Sequence, residues 1–351
     1  MPSVPPDAVL IGSYTATAGT GQAITAWRQD PRTGRLEPAH APVEAVDPSW
    51  LAWHPEGTHL YAASESAAQV LSYAVAGDGL KLLGAQPTGG ADPCHLAVDP
   101  QGRFVVAANY SGGSVSVFAI GADGALLPYH DLVAHEGTGP DPERQESPHA
   151  HMALLAPDGL LYVTDLGTDE VRGYAAGPDG LRHVSTSPLI AGMGPRHLAV
   201  HPSGAVFAAG ELDSTVVVCA VADGVLRPVS AVAATVGEPA ERNYPSHLEC
   251  SPDGRFLYVA NRGADCLTVF AVEEAAAGAA GVTLQPVADV PTGGRWPRHF
   301  ALVGDFVYVA NQGGDSVTVF RRDPATGLPE PTGEAIQVPN PSCVLTAPPR
   351  T

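Results

Sequence analysis

The sequence has few basic residues and almost no lysine. Its 351 residues include 18 basic side chains against 37 acidic ones, and the only lysine is Lys81. The formal net charge of −19 argues against nucleic acid or an anionic membrane surface as the main partner. A chain this acidic must therefore bind an anion locally, with a few well-placed arginines.

Long hydrophobic runs and cysteine pairs are lacking too. No apolar run approaches the roughly 18 residues of a membrane-spanning helix, and the first ten residues lack the basic patch and long apolar core of a signal peptide. The five cysteines form no CxxC pair, which indicates free thiols in a reducing compartment. We therefore expect a cytoplasmic protein that does not associate with membranes.

The sequence contains a repeat along nearly its whole length. Segments such as DPSWLAWHPEGTHLYAASE, from Asp47, and DPCHLAVDPQGRFVVAANY, from Asp92, share a proline, a turn and two apolar stretches. The anchoring prolines recur every 44 to 55 residues, at Pro48, Pro93, Pro148, Pro195, Pro245, Pro297 and Pro341. This period is typical of propeller blades that are built from four strands each.

Each repeat predicts four short strands that are separated by Gly- and Asp-containing turns. In the second repeat the predicted strands are 95–98, 104–109, 114–120 and 125–133. The final repeat keeps one strand and borrows three from the N-terminus, and these four are 343–347, 9–14, 24–28 and 36–41. An Ala/Gly-rich stretch, 273–280, is interpreted as a loop insertion rather than a helix.

The predicted fold is therefore all-β: a seven-bladed β-propeller with four antiparallel strands per blade, in a single domain, 1–351. We expect the N-terminal strands to pair with the C-terminal strand and close the ring, which removes exposed strand edges.

Blade topology gathers the unusual residues at one end of the central channel. The start of each inner strand, the end of each second strand and the connections between blades share that end. The two longest connections, 137–148 and 236–245, each contain an arginine shortly before the proline, Arg144 and Arg242. Long loops on a rigid scaffold commonly carry a functional site.

Two columns of equivalent residues lie at this mouth. The residues just after the prolines include Arg196, Arg298 and the repeated histidines, which are His95, His197, His247 and His299. Two extra residues in the third repeat predict a bulge at His149-Ala150-His151. The ends of the second strands form the other column, which is Tyr14, Glu65, Tyr110, Leu166, Glu211, Arg262 and Gln312.

Repetition favours structural roles for part of these columns. We expect the repeated histidines to form hydrogen bonds between neighbouring blades. A second repeated set occurs near the ends of the second strands, and its members are Asn109, Asn261, Asn311 and Asp165. We expect these side chains to cap local turns; the alternative is that their oxygen atoms bind a cation. The residues that occur in only one or two blades are more informative. Each of them could form a surface salt bridge, but four or five arginines around one Glu and two His favour an anionic small molecule.

Several motifs in the sequence resemble those of the lactonase family of seven-bladed propellers. They are GSYT, PERQESPHAH, GPRHLAVHPSG followed by AAGEL, and LYVANRGADCLTVF. That family includes cycloisomerase-2-type 6-phosphogluconolactonases and is related to carboxymuconate lactonizing enzymes. The resemblance extends from about Ala8 to Pro348, with departures at Trp50 and Met152. It implies an active site at one mouth that contains histidine (His149 or His151), arginine (Arg196) and glutamate (Glu211), with further arginines at Arg262 or Arg298.

We therefore expect hydrolysis of a sugar lactone, above all of 6-phosphogluconolactone, by a monomer that uses no cofactor and no metal. The expected catalytic residues are His149, His151, Arg196 and Glu211. The expected substrate-binding residues are Arg144, Arg242, Arg262, Arg298 and His299. A salt bridge from Arg196 would lower the basicity of Glu211 and make a histidine the better base. Blade geometry places both residues at the rim, so their replacement is not expected to unfold the protein.

Three other interpretations remain open from the sequence. A carboxymuconate-type cycloisomerase would use the arginines to bind carboxylates and a His or Glu to move a proton to carbon. A calcium-dependent sugar lactonase would depend on a metal. A non-enzymatic interaction propeller would have a flat face and no deep polar pocket.

Overall fold

A computed structural model describes residues 4–16, 21–77, 79–274 and 281–348. In these ranges the strands form seven four-stranded antiparallel sheets, which confirms the predicted all-β propeller. The chain begins with β1 (Ala8–Ser13), β2 (Ile24–Gln29) and β3 (Leu36–Val43). Blade 1 then contains β4 (Pro48–Trp53), β5 (His59–Ser64), β6 (Gln69–Ala76) and β7 (Gly79–Pro87).

The next five sheets follow in chain order. Blade 2 contains β8 (Pro93–Val98), β9 (Phe104–Asn109), β10 (Ser114–Ala119) and β11 (Asp131–Ala134). Blade 3 contains β12 (Ala150–Leu155), β13 (Leu161–Asp165), β14 (Glu170–Gly177) and β15 (Gly180–Pro188). Blade 4 contains β16 (Pro195–Val200), β17 (Val206–Gly210), β18 (Thr215–Ala222) and β19 (Val225–Ala233). Blade 5 contains β20 (Tyr244–Cys250), β21 (Phe256–Arg262), β22 (Cys266–Glu274) and β23 (Val282–Pro291). Blade 6 contains β24 (Pro297–Val303), β25 (Phe306–Asn311), β26 (Ser316–Arg322) and β27 (Pro329–Gln337), with a 3₁₀ turn at Gln312–Gly314.

Blade 7 combines the two ends of the chain. Its order is β28 (Pro341–Thr346), β1, β2 and β3. The register between β28 and β1 runs from Val9 opposite Thr346 to Gly12 opposite Cys343. This pairing confirms the closure predicted from the incomplete final repeat.

The hydrophobic core lies between adjacent blades. Phe207 of β17 packs in one cluster with Leu257 of β21 and Phe270 of β22, so blades 4 and 5 share a buried interface. Equivalent clusters join the other neighbouring blades. Because burial of apolar area supplies most of the driving force for folding, the interfaces hold the blades and the residues at their inner edges in place.

Bulges at the start of the inner strands position the mouth. The register shifts between Pro93 and His95, between Pro195 and Leu198, and at the equivalent places in the other blades. In blade 3 the shift falls between Ala150 and Met152, which confirms the predicted bulge. A bulge redirects side chains locally, so the residues just after each proline can face the channel.

Two segments differ from the predicted pattern or lie outside the description. The outer strand of blade 2 was expected to begin near residue 125 but β11 begins at Asp131, because Pro128 cannot donate a ladder hydrogen bond. Of the predicted loop insertion, 273 and 274 end β22, while 275–280 lie outside the described residues. Among the residues that the structure describes, no helix has the length and apolar character needed to cross a membrane.

Candidate active site

Four chain segments bring charged side chains together at one mouth of the channel. Glu211 follows β17 directly, and its N–H donates to the carbonyl of Gly194, which fixes the turn. Arg196 is the second residue of β16, and Arg262 is the last residue of β21. Arg144 comes from the long connection between β11 and β12. We call these four residues the mouth cluster.

The carboxylate of Glu211 is the centre of this cluster. Its Oε1 accepts a hydrogen bond from Nη2 of Arg144 at 2.7 Å, and its Oε2 accepts one from Nη2 of Arg262 at 2.6 Å. The Nε of Arg196 lies 2.9 Å from the same Oε2. Charge-assisted contacts of this length are among the stronger polar interactions in proteins. Three guanidinium groups from three parts of the chain therefore share one carboxylate.

The expectation that Arg196 and Glu211 lie at the rim is wrong. Arg196 is 2% exposed and Glu211 is 4% exposed. The reason is that Arg144 and Arg262 close over the carboxylate, while Nη1 of Arg196 donates to the carbonyl of Ser246 at 2.6 Å. Both groups are thus part of the buried framework of the mouth.

The electrostatics of the cluster keep Glu211 ionised. Burial raises the pKa of Glu211, but the guanidinium groups of Arg262, Arg196 and Arg144 outweigh it and hold that pKa far below its usual value. Burial, with Arg262 and Arg298, lowers the pKa of Arg196 to about 9. A carboxylate with so low a pKa is a poor proton acceptor at neutral pH.

His149 is joined to the mouth cluster through Tyr110. The two rings stack with centroids 4.6 Å apart, and the hydroxyl of Tyr110 accepts a hydrogen bond from Nη2 of Arg144 at 3.1 Å. Nδ1 of His149 donates to the carbonyl of Tyr110 at 3.1 Å, since a carbonyl oxygen can only accept. Nε2 lies 3.3 Å from a carboxylate oxygen of Glu146, whose side chain is 55% exposed. The ring is therefore fixed by Nδ1, and Nε2 is the nitrogen available for proton transfer.

His151 belongs to a different group, a ring of aromatic side chains that fills the channel. This channel ring consists of Trp50, His95, His151, His197, His247 and His299. Trp50 lies 4.0 Å from His95 and 4.9 Å from His299 between ring centroids. His151 lies 5.3 Å from His197, whose Nδ1 is 3.0 Å from Nδ1 of His247.

The channel-ring histidines are uncharged. Burial, the positive charge of Arg196 and, for most of them, neighbouring histidines hold the pKa of His95, His151, His197 and His299 well below its usual value. Burial and the positive charge of Arg196 lower the pKa of His247 to about 3. Removal of an imidazolium from water without a counter-charge is unfavourable, so the neutral form prevails.

Hydrogen bonds between blades account for the repeated histidines, as expected. Nδ1 of His95 accepts from the backbone N–H of Ala153 at 3.5 Å, and Nδ1 of His299 accepts from that of Val344 at 3.2 Å. His299 also stacks on His247 at 4.2 Å. Because its ring is engaged in this way, we assign His299 to the channel ring and no longer propose it as a substrate-binding residue.

Arg298 lies in a second charged group at the same mouth. Its Nη2 is 3.6 Å from Oε2 of Glu65, its guanidinium lies over the ring of Tyr14 at 5.3 Å, and the Tyr14 hydroxyl donates to Oε2 of Glu65 at 2.8 Å. Glu65 and Tyr14 were not singled out from the sequence as site residues. Their place in the same column as Glu211 was the signal that could have identified them.

Arg242 is exposed and stands apart from the Glu211 carboxylate. Its guanidinium lies over the ring of Tyr244 at 5.0 Å, and Nη2 is 3.4 Å from the carbonyl oxygen of Leu212. It is thus a rim cation that a ligand in solution can reach.

The Asn and Asp column serves the scaffold. The amide nitrogen of Asn261 donates to the carbonyl of Ala234 and to the hydroxyl of Thr268. Asp165 accepts from Nδ1 of His135 at 2.6 Å and from the N–H of His149 at 2.8 Å. These contacts hold connections between blades, so the role is structural, although the expectation was for caps on local turns. Across 4–16, 21–77, 79–274 and 281–348, no group of three or more His, Cys, Asp or Glu side chains is arranged to hold a metal ion.

Comparison with solved structures supports the fold over its full length. The periplasmic gluconolactonase of Pseudomonas aeruginosa is 30% identical, with a TM-score of 0.88 over 97% of this chain and 99% of that one. A protein from Lactobacillus plantarum is 33% identical, with a TM-score of 0.88 over 96% and 98%.

Curated relatives match over part of their length. The 6-phosphogluconolactonase of Bacillus subtilis (strain 168) is 31% identical over 218 residues, which are 60% of this chain and 61% of that protein. An uncharacterized protein of Lactococcus lactis subsp. cremoris is 36% identical over 174 residues, 48% of this chain and 49% of that protein. The chain thus aligns with about half to three fifths of these relatives.

A family description covers the chain more completely. The family described as "Lactonase, 7-bladed beta-propeller" matches residues 8–346, a range that includes the mouth cluster, His149 and all seven blades. The protein belongs to the lactonase family of seven-bladed β-propellers.

Proposed function

We propose that this protein hydrolyses a small anionic sugar lactone, above all 6-phosphogluconolactone, at the mouth that contains Glu211. The names of its relatives, a 6-phosphogluconolactonase and a gluconolactonase, support lactone hydrolysis. The observation that carries the proposal is the connection of His149, through Tyr110, to a cluster of three arginines. This arrangement brings a proton acceptor and cationic donors to one mouth.

The charge balance of the mouth favours an anionic substrate. Arg144, Arg196 and Arg262 share a single carboxylate, and Arg242 at the rim is exposed. Guanidinium groups offer paired donors to phosphate and carboxylate oxygens. Arg242 and Arg262 would hold the anionic group of the substrate, and the surplus positive charge would attract it to an otherwise acidic protein.

His149 would act as the general base. Its Nε2 takes a proton from a water molecule whose oxygen attacks the lactone carbonyl carbon, and Glu146 stabilises the imidazolium that forms. When the tetrahedral intermediate collapses, the bond from the carbonyl carbon to the ring oxygen breaks. The ring oxygen receives the proton from Nε2, which regenerates the neutral histidine and releases the open-chain acid.

Arg144 would stabilise the oxyanion of the tetrahedral intermediate. Its side chain is 35% exposed, against 2% for Arg196 and 10% for Arg262, so it is the member of the mouth cluster most open to a ligand. It also contacts Tyr110, which stacks on the proposed base. Glu211 and Arg196 are positioning residues in this scheme, because they fix the arginines without being accessible themselves.

The test is acid release from 6-phosphogluconolactone, followed in a pH-stat and corrected for spontaneous hydrolysis. His149→Gln should lower kcat/KM by about 10²–10⁴-fold, the usual contribution of a positioned base. His183→Gln, on the exposed outer strand β15, is the matched control and should leave kcat/KM unchanged. Equal activity of His149→Gln and wild type would rule out His149 as the base.

A second assay separates hydrolysis from lactone formation. Conversion of carboxymuconate to its lactone removes a conjugated diene, so the loss of its ultraviolet absorbance reports cycloisomerase activity. We expect no enzyme-dependent loss of absorbance. Rapid conversion of carboxymuconate without acid release from 6-phosphogluconolactone would replace the proposed hydrolase with the cycloisomerase. Activity that EDTA abolishes would favour the calcium-dependent alternative.

A further inference from the structure

Trp296 occupies a backbone position that does not suit a bulky side chain. In five blades the residue just before the anchoring proline has a positive φ, and these residues are Asp47, Asp92, Gly194, Trp296 and Asn340. Asp, Asn and Gly enter the left-handed region most readily, whereas a bulky residue there is an outlier. With φ at 58°, Trp296 is the exception to the pattern of its own repeat.

The indole of Trp296 is also exposed. The residue as a whole is 37% accessible, and it is among the large hydrophobic residues exposed at the surface. The backbone N–H of Trp296 donates a hydrogen bond to Oδ1 of Asp265 at 2.7 Å, and this bond stabilises the left-handed conformation. If the backbone conformation were the only requirement, asparagine would suit this position, as Asn340 does at the equivalent position before blade 7. A non-glycine residue held in a sparsely populated backbone conformation commonly indicates a functional constraint.

Trp296 contacts the mouth cluster directly. The guanidinium of Arg262 lies 5.5 Å from the centre of its ring, and the same guanidinium donates to Oε2 of Glu211 at 2.6 Å. The ring of Tyr244 is 5.8 Å away, and Tyr244 in turn lies under the guanidinium of Arg242. An aromatic surface thus lies between the exposed rim arginine and the arginine that binds the buried carboxylate.

We propose that Trp296 is the platform on which the sugar ring of the lactone stacks. The C–H groups on one face of a pyranose ring carry partial positive charge, and the face of an indole carries partial negative charge. A ring stacked on Trp296 would lie beside Arg262 and close to Arg242, the two arginines proposed above to hold the anionic group of the substrate. This proposal rests on the function proposed above and identifies a residue that selects a sugar ring.

The experiment compares Trp296→Asn with Trp296→Phe. Asparagine suits the left-handed backbone and removes the platform, so we expect KM for 6-phosphogluconolactone to rise at least about fivefold with kcat changed much less. The melting temperature should stay the same or increase, because the strain is relieved. Phenylalanine keeps an aromatic face and should retain most of the affinity. Trp27→Phe, on the outer part of blade 7, is the control and should leave both constants unchanged.

An unchanged KM in Trp296→Asn would overturn the platform. A lower melting temperature with unchanged kinetics would assign Trp296 a structural role instead. A direct binding measurement separates this outcome from failure of the proposed function. Titration with 6-phosphogluconate, the product, should quench tryptophan fluorescence in wild type and in Trp27→Phe, with the quenching lost in Trp296→Phe. Binding without turnover would reject the hydrolase and keep the platform, and absence of both turnover and binding would reject both.

Discussion

Three residues of the mouth cluster, Arg196, Glu211 and Arg262, are as buried as the channel-ring histidines beside them, yet the first group is charged and the second is neutral. In the mouth cluster, Glu211 and three arginines keep their charges, because each guanidinium is within 3 Å of the carboxylate. In the channel ring, five histidines are neutral, because burial and the positive charge of Arg196 disfavour a further cation; Glu211, already shared by three arginines, raises the pKa of His151 without reversing this effect. Burial alone therefore does not decide ionisation; the presence of a counter-charge does.

Acid should disrupt the channel ring more than any single substitution. The folded-state pKa of these histidines is depressed, to about 3 for His247, so below about pH 6.5 the unfolded chain binds protons that the folded protein excludes. Their contribution to stability is complete above that pH and is lost as the pH falls. Each histidine costs about 1.4 kcal/mol per pH unit in this window. Urea unfolding at pH 7 and pH 5 measures the loss.

Two variants sharpen that measurement. His247→Gln removes one titrating group and should make the dependence of unfolding free energy on pH shallower. His130→Gln changes an exposed histidine and should leave the slope as in wild type. Stability that does not change between pH 7 and pH 5 would contradict the neutral ring.

Glu211→Gln breaks the mouth cluster and should have the next largest effect. Loss of the shared carboxylate leaves three guanidinium groups without their counter-charge, and removal of one partner from a buried ion pair costs about 3–5 kcal/mol. We also expect kcat/KM to fall at least about tenfold, since Arg144 and Arg262 lose their anchor. Denaturant unfolding and pH-stat kinetics measure the two effects. Glu65→Gln, in the same column but with one guanidinium 3.6 Å away, is the matched control and should destabilise much less. An equal decrease in the free energy of unfolding in both variants would contradict the prediction that the three ion pairs of Glu211 stabilise the protein more than the single one of Glu65.

Arg144→Gln tests the exposed part of the cluster. Because Arg144 is 35% exposed, its loss should cost little stability, but we expect a drop in kcat/KM of about tenfold, or about 1.4 kcal/mol of transition-state stabilisation. The comparison variant is Arg103→Gln, which breaks the ion pair between the exposed Arg103 and the buried Asp99 in the turn between β8 and β9, away from the mouth. Unaltered kinetics in Arg144→Gln would remove it from the proposed mechanism.

The last prediction concerns Glu249, whose carboxyl group lies in the same inner strand as His247. We expect its replacement to have the smallest effect of the variants considered. Its Oε2 accepts from the N–H of Leu302 at 3.3 Å, and burial raises its pKa to about 8. A raised folded-state pKa means that its stabilising contribution is present below about pH 4.5 and is lost as the pH rises towards 8. Glu249→Gln should therefore gain stability relative to wild type as the pH rises from 5 to 9, with little difference between the two near pH 5. Thermal unfolding at the two pH values checks this, and identical shifts at both would exclude titration of Glu249 as the cause.

Most of the fold could be predicted because each blade corresponds to one repeat of the sequence. Each blade is a local unit whose turns and apolar strands follow one another in the chain, so Pro341 without its three following strands was enough to predict pairing with β1. The bulge at His151 was predictable for the same reason, since two extra residues in one repeat must be accommodated locally. The start of β11 was missed because Pro128 lies inside a run that is otherwise typical of a strand.

The site could be predicted only in part. The columns identified which residues would gather at the mouth, including Arg196, Glu211 and Arg262. They did not identify which residues would meet across it: Arg298 of blade 6 pairs with Glu65, which follows β5 of blade 1, and Arg144 reaches Glu211 of blade 4 from the connection between blades 2 and 3. Nor did they indicate burial, which removed Arg196 and Glu211 from the rim.

The sequence by itself determined the number of blades, the closure of the ring and the residue types at the mouth, because these follow from local periodicity and turn chemistry. Only the tertiary structure decided which charges are paired and which groups are neutral. Ionisation depends on distances between side chains that are far apart in the chain, such as Glu211 and Arg262, and on how completely water is excluded from them. A repeat specifies neither quantity, since equivalent positions such as Glu65 and Glu211 receive different neighbours from the blades around them.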